Sequence, residues 1–267
     1  MAETRREIGF GVAAAALVAV GVVLHGHAAI TAGERPSLVI SNIVMAMAML
    51  LHAGHLLGWR RAWMFFGICV GLSYGAETLS IATGLATPYY YTEVLGPRLG
   101  PVPYVIPLGW FTTMYASHIV VNLIAEGRMV STKGKGAWIL GLAFLTALVM
   151  TAWDLTVDPY MVLKVKAWVW EQPGPYFGIP FANYLSWVET CFIINITLRL
   201  TERSEAPPPE VQHPMWFNAL PLVTFGLLGL PDVFVGYPEA TRIISPFSMG
   251  APLLVAAARL KRAGGAA

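Results

Sequence analysis

Long apolar runs recur along the whole chain and are separated by short polar connectors. Eight of these runs have close to the roughly 20 residues that a helix needs to cross about 30 Å of hydrocarbon. The pattern predicts an all-α, polytopic membrane bundle of about eight transmembrane helices, or seven if one weak span is lost. The predicted spans are 8–29, 37–58, 62–84, 107–126, 137–157, 179–200, 215–235 and 241–260.

The basic residues predict how these spans are oriented, because Arg and Lys are enriched in cytoplasmic connectors. With the amino terminus inside, 12 of the 17 basic residues fall on the cytoplasmic side. We therefore expect a plasma-membrane protein with both termini cytoplasmic. The first run follows two arginines as in a signal peptide, but the charge pattern favours its retention as a span. The twelve are Arg5, Arg6, Arg60, Arg61, Arg128, Lys133, Lys135, Arg199, Arg203, Arg259, Lys261 and Arg262.

A Pro-rich connector divides the predicted bundle. Three consecutive prolines at 207–209 are typical of a stiff, exposed linker. Residues 202–214 are therefore predicted to be a cytoplasmic linker inside a single membrane domain. It joins a six-helix body, 1–201, which would carry the active site, to a terminal helix pair, 215–267.

The two longest outer connectors, 85–106 and 158–178, are rich in Pro, Gly and aromatic residues. This composition suits ordered loops at the membrane surface, and we expect them to form a lid.

Composition excludes a soluble enzyme. The chain is 56% hydrophobic and 12% charged, with a mean hydropathy of +0.61, whereas soluble domains carry about 25% charged residues. The net charge of +2 does not favour nucleic acid as a partner. Cys69 and Cys191 lie in apolar segments without CxxC spacing and are interpreted as core residues. Neither a metal nor a nucleotide cofactor is expected from the motifs.

Carboxylates inside the spans are the candidate chemical groups, because an ionisable side chain at bilayer depth costs about 2.5 to 3.5 kcal/mol. Glu77, Asp154, Asp158 and Asp232 are predicted to lie towards the outer side, with Glu189 nearer the middle. Asp154 and Asp158 are four residues apart and share a helix face. Alternatively, each acid could have a purely structural role and form a hydrogen bond to a neighbouring helix.

Aromatic and polar side chains near the outer surface are the candidate binding residues. They fit two arrangements equally well, an aromatic belt at the membrane interface and an apolar pocket whose rings stabilise a carbocation. Among the histidines, only His118 is expected to line the same cavity as the acids, whereas His52 and His55 are predicted to be interfacial. The candidate set is Tyr91, Trp110, His118, Trp170, Tyr176, Phe177, Asn183, Trp187 and Glu189.

Three segments resemble a known family. The resemblance covers about residues 60–200 and is to the membrane carotenoid biosynthesis family that includes the CruF-type 1,2-hydratases. Its motifs are a Tyr-rich turn before Leu-Gly-Pro, Asp-x-x-x-Asp-Pro, and Trp-x-Trp before Gly-x-Tyr-Phe-Gly-x-Pro-x-x-Asn. The segments are 75–110 (GAETLSIATGLATPYYYTEVLGPRLGPVPYVIPLGW), 153–159 (WDLTVDP) and 168–187 (WVWEQPGPYFGIPFANYLSW).

The resemblance implies cofactor-free addition of water to the terminal C1=C2 double bond of an acyclic carotenoid end group, which gives a tertiary alcohol. Members of the family act on bisanhydrobacterioruberin or on monocyclic carotenes such as γ-carotene. The implied partners are a carotenoid taken from the bilayer, membrane lipid and other carotenoid biosynthesis enzymes.

Hydration of an unactivated alkene needs a neutral carboxylic acid as proton donor, and burial in hydrocarbon favours that form. Glu77 or Asp154 is the expected general acid. Asp158, helped by Asn183, would orient the water and accept its proton.

Two other functions remain open. One is an end-group cyclase that uses the same proton chemistry. The other is a proton-coupled transporter or a carotenoid-binding membrane protein, which would carry carboxylates at several depths. The inner half is predicted to carry almost none.

Overall fold

A computed structural model describes residues 2–31, 35–85, 87–131, 136–203 and 213–265. Within these ranges, seven helical segments are long and apolar enough to cross a membrane. This confirms the predicted polytopic helical membrane protein. The helices are α1 (Ala2–Ile30), α2 (Arg35–Leu57), α3 (Trp59–Thr83), α4 (Val105–Glu126), α5 (Ala137–Tyr160), α6 (Phe181–Arg203), α7 (Met215–Asn218), α8 (Leu220–Val235), α9 (Ala240–Ser245) and α10 (Ala251–Gly265).

Helix α6 corresponds to the sixth predicted span and is 23 residues long. It is more polar than the seven apolar segments because it carries Asn183, Glu189, Asn195 and Arg199. It packs mainly against α5 and α3, and its buried face includes Asn183, Asn195 and Arg199. The helix therefore directs much of its polarity into the protein.

Helix α4 lies at the centre of the bundle. Every residue from Trp110 to Leu123 is buried, as expected for a helix that is surrounded by other helices. It packs against α2, α3, α5, α8 and α10, and Gly127 ends it in the left-handed conformation, with φ of 69°. Side chains on α4 therefore reach most of the protein interior.

Helix α5 extends beyond its predicted end at residue 157. It continues through Pro159 to Tyr160 and then widens into a π-helical turn, Met161–Val165. Proline supplies no backbone N–H, so the regular hydrogen-bond pattern is interrupted near this point. The extension keeps Asp154 and Asp158 on one continuous helix.

Four short strands lie outside the helices, and two of them join the long connectors. Strand β1 pairs antiparallel with β4, with Tyr89 opposite Trp170 and Tyr91 opposite Trp168. We call this pair the aromatic ribbon. Strands β2 and β3 form a second short pair. The bounds are β1 (Tyr89–Tyr91), β2 (Arg98–Leu99), β3 (Val102–Pro103) and β4 (Trp168–Trp170).

The segment after β4 turns back on itself at Gly174. Bridges between Gly174 and Gly178, and between Tyr176 and Ile179, close this turn. A Cβ atom at residue 174 would collide with the backbone of Ile179 and Pro180. Glycine is therefore required here, and the turn leads directly into α6.

The aromatic ribbon defines one end of the bundle, which we call the ribbon end. There α3 and α5 end, and α4 and α6 begin. Helices α8 and α10 pack against α4, so the terminal helices adjoin the rest of the bundle. Most of the predicted linker, at 204–212, lies outside the described residues, as do Lys133 and Lys135.

Candidate active site

A cavity of about 180 Å³ lies at the ribbon end. Helices α2, α3, α4, α5, α6 and α8 and the aromatic ribbon all contribute to its wall. All three proposed catalytic acids, Glu77, Asp154 and Asp158, line it. Most of the remaining wall is apolar or aromatic, so the carboxyl groups face a space suited to a hydrocarbon.

Glu77 on α3 accepts hydrogen bonds from three aromatic side chains. The hydroxyls of Tyr89 and Tyr91 both donate to Oε2, the latter at 2.8 Å. The indole N–H of Trp110 donates to Oε1 at 3.1 Å. Both carboxyl oxygens are therefore held in place, and the Glu77 side chain is buried, at 9% exposure.

The two phenols remain donors over the physiological pH range. Burial, followed by the nearby Glu77 carboxyl, raises the pKa of Tyr89. The same two causes raise the pKa of Tyr91. Both side chains therefore stay protonated and can serve Glu77 only as hydrogen-bond donors.

Asp154 and Asp158 on α5 share one amide. The Nδ2 of Asn183 donates to Oδ2 of Asp154 at 3.2 Å and to Oδ2 of Asp158 at 2.7 Å. Trp168 donates its indole N–H to Oδ1 of Asp158 at 2.7 Å. Both aspartates are only 1% exposed, so this pair is protected from bulk solvent.

Stacked indoles form part of the cavity wall beside the acids. The rings of Trp110 and Trp187 lie 4.3 Å apart, with an interplanar angle of 17°. Trp153 meets Trp187 edge-on at 6.1 Å. The face of an aromatic ring attracts a positive charge, so this wall suits a cation that forms within the cavity.

Most predicted binding residues surround this cavity. Tyr91, Trp110, Trp170, Asn183 and Trp187 line it. The binding set predicted from the sequence omits Tyr89 and Trp168, although both contact an acid directly. Their alternation with an outward residue on each short strand is the signal that could have identified them.

Tyr176 and Phe177 lie beside the cavity wall. They pack against a cluster that includes Trp170 and Tyr184. The hydroxyl of Tyr176 donates to the carbonyl of Leu155 at 2.7 Å. Burial, followed by the charges of the two aspartates, raises the pKa of Tyr176 to about 12, so its hydroxyl stays protonated.

Four predicted binding residues are not part of the described cavity wall: Tyr176 and Phe177, which lie beside it, and Glu189 and His118. Glu189 is exposed, because it follows Trp187 by two residues and points to another side of α6. His118 lies two turns beyond Trp110 on α4, about 12 Å further along the helix. It contacts Asn195 at 3.0 Å instead of the cavity acids. The expectation that His118 shares the cavity with the acids is therefore wrong.

A second polar cluster lies towards the opposite end of the bundle. Arg199 is 3% exposed and donates to Asn195, Asn122 and Thr146 at 2.7, 3.0 and 3.3 Å. Glu202 lies 3.8 Å from the His118 ring. This cluster ties α4, α5 and α6 together.

Two carboxylates, Glu126 and Glu202, lie towards this end, and Glu126 accepts from Trp138 at 2.8 Å. One placement here differs from prediction. His52 is fully buried instead of interfacial. It contacts the Tyr115 hydroxyl at 2.8 Å and the Phe217 carbonyl at 3.1 Å, and so links α2, α4 and α7.

Within the described ranges, the cysteines and the possible metal ligands form no further candidate site. Cys69 and Cys191 are free and buried, in agreement with their interpretation as core residues. The described His, Cys, Asp and Glu side chains form no group of three or more that could hold a metal ion. The titratable side chains of the described cavity wall are the three carboxyl groups, the ring of His25 on α1, and the hydroxyls of Tyr89 and Tyr91.

Similarity to known proteins indicates the family of this chain. The bisanhydrobacterioruberin hydratase of Haloarcula japonica is 32% identical over 133 residues. The aligned part covers 48% of this chain and 42% of that protein, so the chain spans less than half of the relative's length. No solved structure gives a significant match. A family model described as "Carotenoid biosynthesis protein" matches residues 37–253. Because that match covers most of the chain, the protein belongs to the carotenoid biosynthesis protein family.

Proposed function

We propose that this protein adds water to the terminal C1=C2 double bond of an acyclic carotenoid end group. The observation that carries the proposal is a cavity in which three buried carboxyl groups face an apolar, aromatic wall. Such a site suits protonation of a hydrocarbon, because a desolvated carboxylic acid favours its neutral form. The hydratase name of the relative supports the same reaction.

The first step is proton transfer from a carboxylic acid to C2 of the alkene. Glu77 or Asp154 supplies this proton, and the electron pair of the double bond forms the new C–H bond. The positive charge then resides on C1 as a tertiary carbocation. The faces of Trp110 and Trp187 stabilise that charge during its short lifetime.

The second step is attack of water on C1. The water oxygen forms the new C–O bond, and the surplus proton passes to the Asp158 carboxylate. Asn183 holds this carboxylate beside Asp154. Proton return between neighbouring acids restores the starting state, so the reaction consumes only alkene and water and needs no cofactor.

The cellular setting is part of the proposal. A carotenoid would enter from the bilayer, and other carotenoid biosynthesis enzymes would supply and consume it. We place the protein in the plasma membrane with both termini cytoplasmic, following the distribution of basic residues. We also retain the division into a six-helix body, 1–201, and a terminal pair, 215–267. The body supplies the acids, and α8 adds Leu227 and Leu228 to the cavity wall.

Product mass tests the reaction. The chain is expressed in cells that accumulate lycopene, γ-carotene or a C50 precursor, and the pigments are analysed by chromatography and mass spectrometry. Hydration adds one water per reacted end group. A new pigment of unchanged mass would identify an end-group cyclase. Unaltered pigments bound to the purified protein would favour a binding or transport role.

Matched variants then test the acids. Glu77→Gln and Asp154→Asn are expected to lower hydration by about 100-fold or more while the protein still accumulates and binds pigment. Asp232→Asn is the control, because Asp232 is also buried, at 8% exposure, but lies outside the described cavity wall. Full activity in both acid variants would remove the proposed donor.

A further inference from the structure

Trp170, in strand β4, carries a buried N–H group without a partner in the described cavity wall. It lines the cavity and is only 7% exposed. Its buried indole N–H has no hydrogen-bond acceptor among the described residues. Buried donors are almost always paired, so an unpaired one in a cavity wall indicates an acceptor supplied from within the cavity.

Three other indoles of the same wall donate to protein acceptors, whereas Trp187 makes no hydrogen bond to the described residues and its N–H is not among the buried unpaired groups. Trp110 donates to Glu77, Trp168 to Asp158 and Trp153 to the carbonyl of Leu228. Trp170 differs from these three although it belongs to the same wall. The buried, unpaired state of its N–H makes it a candidate donor to a molecule inside the cavity.

The ribbon places Trp170 between the two groups of acids. It lies opposite Tyr89, which donates to Glu77, and their ring centroids are 4.8 Å apart. It is two residues from Trp168, which donates to Asp158. Residues two apart on a strand face the same side. Trp170 therefore accompanies both acid donors on the inner face of the ribbon.

The chemistry of the reactants limits what the N–H can bind. A polyene hydrocarbon offers no oxygen or nitrogen acceptor, whereas the attacking water and the tertiary alcohol both offer an oxygen. We propose that the Trp170 indole N–H binds this oxygen and holds it at C1 of the carbocation. The inference rests on the proposed hydration and adds a residue that directs the cation to water.

The carbocation has two outcomes that this hydrogen bond would separate. Water attack forms the C–O bond and releases a proton to a carboxylate, which gives the alcohol. Transfer of a proton from C2 or from a methyl group on C1 to a carboxylate restores an alkene, with the C–H electron pair forming the double bond. In D2O the second route leaves deuterium in the recovered alkene whenever the proton lost is not the deuteron first added, because that deuteron came from a solvent-exchanged acid.

The experiment is done in D2O with the full chain in membranes, and the substrate is the carotenoid that the product-mass experiment identified. It measures both hydration and deuterium exchange into the alkene. Trp170→Phe removes the N–H and part of the ring. Trp170→benzothienylalanine replaces only the N–H by sulfur and keeps the ring size, which separates the hydrogen bond from packing. Tyr184→Phe is the matched control, since Tyr184 is 8% exposed with an unpaired buried hydroxyl but lies outside the described cavity wall.

Both Trp170 variants are expected to lower the ratio of hydration to deuterium exchange by about fivefold to tenfold. Tyr184→Phe is expected to leave this ratio unchanged. An unchanged ratio in the benzothienylalanine variant would overturn the inference, as would an equal fall for Tyr184→Phe. If the wild-type protein produced neither alcohol nor exchanged alkene, the proposed function itself would fall, and the inference with it.

Discussion

Tyr91 and Trp168 lie opposite each other in the aromatic ribbon, yet each holds a different acid. Tyr91 donates to Glu77 at 2.8 Å and Trp168 donates to Asp158 at 2.7 Å. Their rings meet edge-on with centroids 6.0 Å apart. Backbone pairing between two distant chain segments therefore sets the separation of carboxyl groups carried by α3 and α5.

The tyrosines of β1 offer the first test of this arrangement. Tyr89→Phe and Tyr91→Phe each remove one donor from Glu77, so we expect hydration rates to fall by about tenfold to hundredfold. Tyr90→Phe is the control, since Tyr90 is 50% exposed and points away from the inner face. Initial rates normalised to protein content provide the measurement. An equal loss in all three variants would contradict a specific role for the two donors.

Trp168 tests the other acid. Trp168→Phe removes the donor to Asp158, and we expect turnover to fall by about tenfold while pigment binding is kept. Trp138→Phe removes a comparable indole-to-carboxyl hydrogen bond, to Glu126, outside the described cavity wall. This control should retain full turnover. Wild-type rates in Trp168→Phe would show that the ribbon does not support Asp158.

Asn183 tests the aspartate pair. Asn183→Leu keeps a similar volume but removes the donor that Asp154 and Asp158 share. We expect turnover to fall by about 100-fold and the pH–rate profile to change shape, because two interacting carboxyls titrate as a unit. Rates measured across pH check this. Asn218→Leu, which removes a 3.2 Å bond to the His213 carbonyl, should leave the profile unchanged.

Arg199 provides a test of stability instead of chemistry. Arg199→Leu leaves the side-chain oxygens of Asn122 and Asn195 without their charged donor. We expect the free energy of unfolding to drop by about 2 to 4 kcal/mol. Thermal unfolding in detergent measures the change. Arg203→Leu, at an exposed position near the end of the same helix, should alter it little. A large loss of turnover without a lower Tm would contradict the structural role.

The sequence predicted the helices and several members of the cavity because both follow from chain-local rules. Long apolar runs identify spans, and the four-residue spacing of Asp154 and Asp158 places them on one face. Glu77 was singled out by the cost of a carboxyl at bilayer depth. These inferences need no knowledge of which helices are neighbours.

The remaining details depend on tertiary packing. The rotation of α6 within the bundle turns Glu189 outward, and no periodicity in a single helix predicts that rotation. Depth along α4 separates His118 from the acids and places it near Glu202. The partners of Tyr89 and Trp168 depend on pairing between β1 and β4, which are far apart in sequence.

The cavity lies at one end of the bundle, with its acids close to the ribbon. For the proposed reaction, a carotenoid with two identical tips can present only one of them at a time. The half-modified molecule must dissociate and return in the reverse orientation before its second tip reacts. Such distributive behaviour would make the mono-hydroxylated pigment accumulate first, with the doubly hydroxylated form appearing after a lag.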